Sequence, residues 1–225
     1  DLRLSLRRQR QMCIRDRAGP MQSWGTQSRY THRDTGDWPT MSGVVGLVSA
    51  ALGRTRGSDP SDLTALDMAV RVDRAGCRMS DFHTAADSKG VSQLSRREYL
   101  ADARFTVALT GTDVLVDRLA RAVQKPTFQL GLGRRSCVPA EPVFRGVVAG
   151  DADAAFAEFD PDPAATIVRT VHDGDAATPD TFVVWDIPYT RDGSWHYRPR
   201  TVSVEHTDRS GGTKTPALDP FSIAN

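Results

Sequence analysis

The chain has 225 residues, 39% apolar and 25% charged, with three cysteines and a formal net charge of +1. This is enough apolar material for one core, with or without a small second lobe, and it excludes wholesale disorder and a disulfide-rich framework. The longest apolar run, residues 44–52, falls far short of the ~20 residues that cross a bilayer, and no apolar signal core follows the basic start, so the protein reads as cytosolic with no membrane partner.

The leader, residues 1–17 (DLRLSLRRQRQMCIRDR), is dense in arginine. It reads as an expression remnant, a misplaced start or an assembly artefact rather than as a basic arm on RNA. Only Met12 to Arg17 stand where a first strand is needed. A polar, turn-rich connection follows. Ser42 then caps a helix over 43–52, with apolar residues at 44, 45, 47, 48, 51 and 52, and Gly53 ends it. Leu63 to Asp67 give a turn of helix and Met68 to Val72 a strand. Residues 74–98 lack periodicity; an insert of this length is functional or mobile.

Tyr99 to Thr110 read as one strand, with Phe105, Val107 and Leu109 alternating. Thr112 or Asp113 caps a helix over 114–124 that gathers Leu115, Leu119 and Val123 on one face. Pro126 closes it, and Phe128 to Leu132 form a short last strand. The order strand, helix, strand, insert, strand, helix, strand predicts an α+β, ferredoxin-like (split βαβ) domain, the order shared by the RRM readers of RNA. Thr166 to Val171, Phe182 to Ile187 and Thr201 to Glu205 predict a small C-terminal β extension. The expected division is a leader (1–17), a core domain (18–145) with its insert at about 74–98, the extension (146–207) and an unpacked tail (208–225).

The charge is unevenly spread. Residues 1–145 carry 23 Lys and Arg against 15 Asp and Glu, whereas residues 146–225 carry 6 against 13. A basic front suits a polyanion and an acidic back a basic protein neighbour. Cys13, Cys77 and Cys137 stand apart, without a C-x-x-C or a nearby histidine pair, and read as small thiols and not as metal ligands.

Four stretches carry possible chemistry. GLGRRS (131–136) has glycines that allow close backbone approach and two arginines suited to phosphate oxygens; the other reading is a strand-ending turn with surface arginines. It is neither a Walker loop nor G-x-G-x-x-G. AGPMQSWG (18–25) offers an amide, a hydroxyl and an indole at Gln22, Ser23 and Trp24: an exposed base-stacking ring, or a ring packed under the loop. The insert mixes Arg78, His83, Lys89, Arg96, Arg97 and Tyr99, as in an RNA-clasping finger or a solvated loop. His83, Lys89 and Tyr99 also offer a base, a charge stabiliser and an acid for metal-free RNA cleavage, though no spacing demands it. His32, His172, His196 and His206 are isolated.

AGPMQSWG (18–25), PTMSGVVGLVSAALGR (39–54), DFHT (81–84), RREYLADARFTVAL (96–109) and LGRRSCVPAEPVF (132–144) closely resemble, in order and spacing, the Cas-five family of CRISPR-associated proteins in its type I-E (CasD) branch. The resemblance covers most of 18–145, weakens after Phe144 and fails before Arg17. It implies a ferredoxin-like core with a thumb inserted before the third strand, and a non-catalytic subunit of the Cascade surveillance complex in antiviral defence. Such a subunit grips the 5′ handle of CRISPR RNA at one end of the CasC backbone, beside the large subunit CasA, and meets target DNA only through the complex. No cofactor or metal is implied. Relatives in another subtype cut RNA themselves, so a metal-independent endoribonuclease acting on CRISPR repeat RNA is the alternative. By the same resemblance Arg134, Arg135 and Ser136 belong to the handle-binding loop. His83 and Thr84 fall on the thumb, and Arg97 and Tyr99 lead out of it. Gln22 and Trp24 occupy the loop after the first strand, with Ser42 opening the helix beneath.

Overall fold

The computed structural model describes residues 10–16, 19–26, 31–86, 90, 92–159, 167–173 and 180–208. Of the expected leader (1–17), residues 10–16 are described; the rest of it, the tail after Asp208 and Lys89 lie outside these residues. In chain order the elements are β1 (Arg10–Asp16), β2 (Met21–Gln22), β3 (His32–Arg33), α1 (Met41–Ala51), α2 (Ser61–Thr64), β4 (Asp67–Arg74), β5 (Cys77–Ala86) and β6 (Ser92–Ala101). They continue with β7 (Arg104–Gly111), α3 (Asp113–Gln124), β8 (Phe144–Ala149), α4 (Ala152–Glu158), β9 (Ile167–Asp173), β10 (Thr181–Arg191) and β11 (Ser194–Asp208).

Strand alternation divides the core. On β4 and β7 it sends Met68, Val70, Val72, Phe105, Val107 and Leu109 to one face, where Val44, Val48, Leu119 and Val123 of α1 and α3 join them in the main core. The other face carries Ala69 and Ala108, small enough for α4 to lie close with Ala155 and Phe156. There Arg71 Nε donates to Asp73 at 2.7 Å, and Thr106 Oγ1 donates to the same carboxylate at 2.7 Å. The Arg71 guanidinium also donates to the Phe156 carbonyl and lies 5.4 Å from the Phe156 ring centroid. This buried cation is paired and hydrogen-bonded, as burial requires.

The seven-stranded sheet runs β10-β11-β9-β4-β7-β1-β8. β1 lies inside it, antiparallel to both β7 and β8. The C-terminal strands continue the same sheet, because β9 pairs with the free side of β4 (Val70 opposite Val171).

Three expectations about strands need correction. Phe128 to Leu132 are not a strand. The Thr127 and Phe128 N–H groups donate to the Ala51 and Ala50 carbonyls, so this segment satisfies the end of α1 and cannot join a ladder; β8 takes the sheet edge instead. The expected strand 99–110 is two strands, β6 and β7, broken at Asp102, whose φ is +55°. The aperiodic insert is a β-hairpin, β5 against β6 from Cys77 opposite Ala101 to Ala86 opposite Ser92. With most of both its faces in solvent, it has no reason to alternate apolar and polar residues. β6 also pairs with β2 and, in parallel, with β3, giving a second sheet.

The cap of α1 is Thr40 rather than Ser42: Thr40 Oγ1 accepts from the Gly43 N–H at 3.3 Å, while Ser42 is already within the first turn. Thr40→Ala should cost about 1 kcal/mol in urea unfolding, and Ser42→Ala less than about 0.5 kcal/mol. A second acceptor reaches the same helix end from far along the chain. Asp186 Oδ2 on β10 accepts from the Met41 N–H at 2.7 Å, and Oδ1 accepts from Arg200 Nε of β11 at 2.7 Å. Burial pushes the Asp186 carboxyl up to about 6, against the pull of the Met41 N–H, and the Arg200 guanidinium down to about 10.

Candidate nucleic-acid interface

Two loops of the expected site lock together above α1. Gln22 and Trp24 are 0% and 2% exposed. Gln22 Nε2 donates to the Ala103 carbonyl at 2.9 Å, and Trp24 Nε1 donates to Gln22 Oε1 at 3.0 Å. The indole rests on the helix at Gly43, where a Cβ would lie 2.7 Å from ring atom Cε3. The expectation that Gln22 and Trp24 contact RNA is therefore corrected: each has its polar group satisfied inside the protein, and the ring has no free face for a base. They position the loop. Ser23 binds its neighbours at both ends, the N–H to the Leu132 carbonyl (3.1 Å) and Oγ to the Glu98 carbonyl (2.9 Å). Ser42 is partly exposed, its hydroxyl 3.3 Å from that of Thr40.

GLGRRS folds as a tight turn, the Leu132 N–H donating to the Cys137 carbonyl at 2.7 Å. Gly133 has φ +79° and lies directly against the Ser23 carbonyl. The two arginines part here. Arg134 turns inward, donating to the carbonyls of Arg33 (2.8 Å) and Asp34 (3.1 Å), with its guanidinium 4.9 Å from the centroid of Tyr99. It joins this loop to β3 and covers Tyr99, which is only 4% exposed, so these two expected RNA-binding side chains are engaged with the protein itself. Arg135 and Ser136 are exposed.

On the hairpin, His83 Nε2 lies 2.7 Å from Asp81 and 3.4 Å from the Tyr99 hydroxyl. Thr84 is exposed, and Arg97 is partly exposed with Nε donating to Ser95 Oγ at 3.3 Å. Arg78 is held by Asp37 (2.8 Å), Glu98 (3.3 Å) and the Thr35 carbonyl (3.0 Å). No group of three or more metal-ligating side chains occurs among the described residues.

A groove of about 1020 Å³ opens beside the GLGRRS turn, between α1, the 54–57 turn, residues 128–135 and the β10–β11 turn. Its walls include Arg54, Arg56 and Arg135 and the aromatic residues Phe128, Trp195 and Tyr197, and no Asp or Glu among the described residues. Arg54 is committed: it donates to Asp62 and the Asp59 carbonyl, and its hydrogen bond holds the Asp62 carboxyl below the usual range. Arg56 and Arg135 have no carboxylate partner among the described residues. Phe128 is 49% and Tyr197 38% exposed. The Ser49 hydroxyl, closed off from solvent, has no hydrogen-bond partner among the described residues.

Residues 16–203 match the family described as CRISPR-associated protein (Cas_Cas5). The chain belongs to the Cas5 family. Among relatives, this Cas5 chain is 38% identical over 170 residues to the protein of Escherichia coli (strain K12) named CRISPR system Cascade subunit CasD, covering 64% of this chain and 75% of that protein. Its fold is similar to a chain of a solved CRISPR RNA-guided surveillance complex, with TM-score 0.71 and 32% identity over 88% of this chain and 90% of the other. It is also similar to a structure described as the crystal structure of a Cas protein, with TM-score 0.60 and 33% identity over 89% and 95%.

Within this Cas5 chain the motif residues fall into two groups. Gln22, Trp24, Tyr99 and Arg134 hold loops together; Thr84, Arg135 and Ser136 face solvent, with His83 and Arg97 partly so. Sequence reasoning missed the groove. Arg54 and Arg56 follow the helix stop at Gly53, which is a signal for a turn but not for a site, and Tyr197 reaches them only when β10 and β11 fold back over α1. No helix among the described residues is long and apolar enough to cross a membrane.

Proposed function

We propose that this chain is a non-catalytic CRISPR RNA-binding subunit of a type I-E Cascade complex, working in the cytoplasm. It holds the 5′ handle of the guide RNA and contacts the CasC backbone and the large subunit CasA, with target DNA reached through the complex. The observation that carries this reading is the 38% identity to a Cascade subunit, joined to a shared fold with a chain of an RNA-guided surveillance complex. The order β4-β7-β1-β8, with α1 and α3 in the connections, supports a ferredoxin-like split βαβ core. The β5–β6 hairpin is then the thumb, inserted before the third core strand, and β9 to β11 form the C-terminal extension.

The solvent-facing residues Arg135, Ser136, Thr84, His83 and Arg97 are the proposed RNA contacts, with Gln22, Trp24, Ser42, Tyr99 and Arg134 behind them as positioning groups. The two neighbouring arginines test this division. Arg135→Ala should weaken binding of end-labelled repeat RNA and lower its log–log salt slope by about one, with an unchanged melting temperature. Arg134→Ala should lower the melting temperature. An unaltered salt slope in Arg135→Ala would remove the loop from the site.

The contact between His83 and Tyr99 favours one second reading, a metal-independent endoribonuclease. Cleavage of repeat RNA that survives chelator and disappears in His83→Ala would establish it. Intact RNA would leave the holding role.

A further inference from the structure

We infer that the outer part of the β10–β11 hairpin, residues 187–198, is a flap that opens and closes one wall of the groove, hinged at a bulge in β10 and latched at its tip by Trp195. The hinge lies where the ladder breaks. The register between β10 and β11 shifts between Trp185 and Ile187, and a bulge of this kind bends its strand and interrupts regular pairing. Asp186, the residue passed over, is fixed to the body: it is 3% exposed and accepts from both the Met41 N–H and Arg200. The near side of the hairpin is anchored, and the anchoring stops at the bulge.

Beyond it the hold on the body is slight. Of residues 187–199 Pro188 alone is buried, and Arg191 to Ser194 are exposed. Trp195 Nε1 donates to the Ser58 carbonyl at 3.0 Å, and a single hydroxyl, Thr190 Oγ1, is shared between the carbonyls of Ser58 (3.3 Å) and Gly57 (3.4 Å). The Trp195 ring, partly buried against the main core, completes the latch. Single hydrogen bonds add little net stability, and segments with few buried contacts open without global unfolding. The hairpin holds itself together and so moves as one piece: Tyr189 lies opposite His196 with ring centroids 5.7 Å apart, and the Arg198 guanidinium is 4.5 Å from the Tyr189 centroid. Gly193, Ser194, Trp195 and Tyr197 line the groove, so the flap sets the width of its mouth. Arg135 lines the same groove, and a consequence for bound RNA therefore follows, resting on the RNA-binding reading above.

Gly57 provides a wedge that changes no charge. Its φ is +84°, and a Cβ built there runs into the Gly193 carbonyl at the tip of the flap. The 54–57 turn is itself tied down by Arg54 to Asp62 and the Asp59 carbonyl, so the tip is the side that yields. Gly193→Ala is the control: it takes on a left-handed backbone (φ +69°) in the same way, but its Cβ meets nothing within 4 Å. Amide hydrogen exchange would be followed by mass spectrometry on the full chain. We expect exchange at 188–197 to be faster than at Thr181 to Val184 in wild type. Trp195→Phe should raise it a further three- to tenfold, roughly the worth of one hydrogen bond. Gly57→Ala should raise it at least about tenfold beyond Gly193→Ala, with Thr181 to Val184 unchanged. End-labelled repeat RNA should leave Gly57→Ala several-fold faster than it leaves Gly193→Ala.

Exchange at 188–197 as slow as in β7, and unmoved by Trp195→Phe and Gly57→Ala, would make the hairpin a fixed wall and overturn the flap. An equal rise at Thr181 to Val184 would place the opening in the whole strand pair and overturn the hinge at the bulge. The expected exchange with unaltered RNA dissociation would overturn the link from the flap to RNA. A wild-type chain that binds no repeat RNA would overturn the RNA-binding reading, and the exchange result would still decide the flap.

Discussion

Asp186→Ala should lower the thermal unfolding midpoint by roughly 6–20 °C. The carboxylate is buried and has two partners, the Arg200 guanidinium and the first N–H of α1. Removing it takes this carboxylate from the buried Arg200 guanidinium and from the Met41 N–H, a loss of about 3–5 kcal/mol. At roughly 2–4 °C per kcal/mol for a chain of this size, circular dichroism melts resolve it easily. The double variant Asp186→Leu with Arg200→Met should regain most of the loss, because replacing both partners removes the desolvation cost along with the attraction. A midpoint within 2 °C of wild type in the single variant would mean that β10 and β11 do not depend on this pair to stay on α1.

Gly133→Ala should be comparably severe and should also reduce RNA binding. A left-handed backbone costs an L-residue with a Cβ about 1–2 kcal/mol, and here the added carbon would run into the Ser23 carbonyl. Relief requires the 131–137 turn to move away from the 22–24 loop, which breaks the bond from the Ser23 N–H to the Leu132 carbonyl. The expected total is roughly 2–5 kcal/mol, adding an overpacking cost of about 1–3 kcal/mol. Because Arg134 and Arg135 ride on the same turn, the RNA shift should weaken even at temperatures where the variant remains folded. Wild-type values in both assays would show that the two loops are not coupled as described.

The elements legible in the sequence are those with a single buried stripe or face. α1 and α3 lie close to where their apolar spacing predicts, and β4 and β7 carry the alternation that separates the main core from the face under α4. The hairpin was illegible because burial is what writes periodicity into a strand, and β5 and most of β6 are not buried. Phe128 to Leu132 imitated a strand: Leu130 and Leu132 do enter the core, but the backbone hydrogen bonds of this segment go to α1, to its own turn and to Ser23 and not to a ladder.

The motifs at the candidate site were visible as residue types, and their orientation was not. Trp24 is buried because Gly43, nineteen residues later, vacates the space its ring fills. Arg134 and Arg135 are adjacent, yet one faces the Arg33 and Asp34 carbonyls and the other faces solvent. Such choices depend on groups brought in from distant strands, which local composition does not report.

The position of β1 sets the order in which the protein is assembled as it is made. Its two neighbours, β7 and β8, lie far downstream, the second about 130 residues later, or roughly 6–26 s at synthesis rates of ~5–20 residues per second. Throughout that interval an interior strand of the finished sheet has at least one bare side. A nascent chain that stalls before Phe144 would present an open template for pairing with other chains, so ribosome-associated chaperones should matter most to this protein between the synthesis of β1 and the arrival of β8.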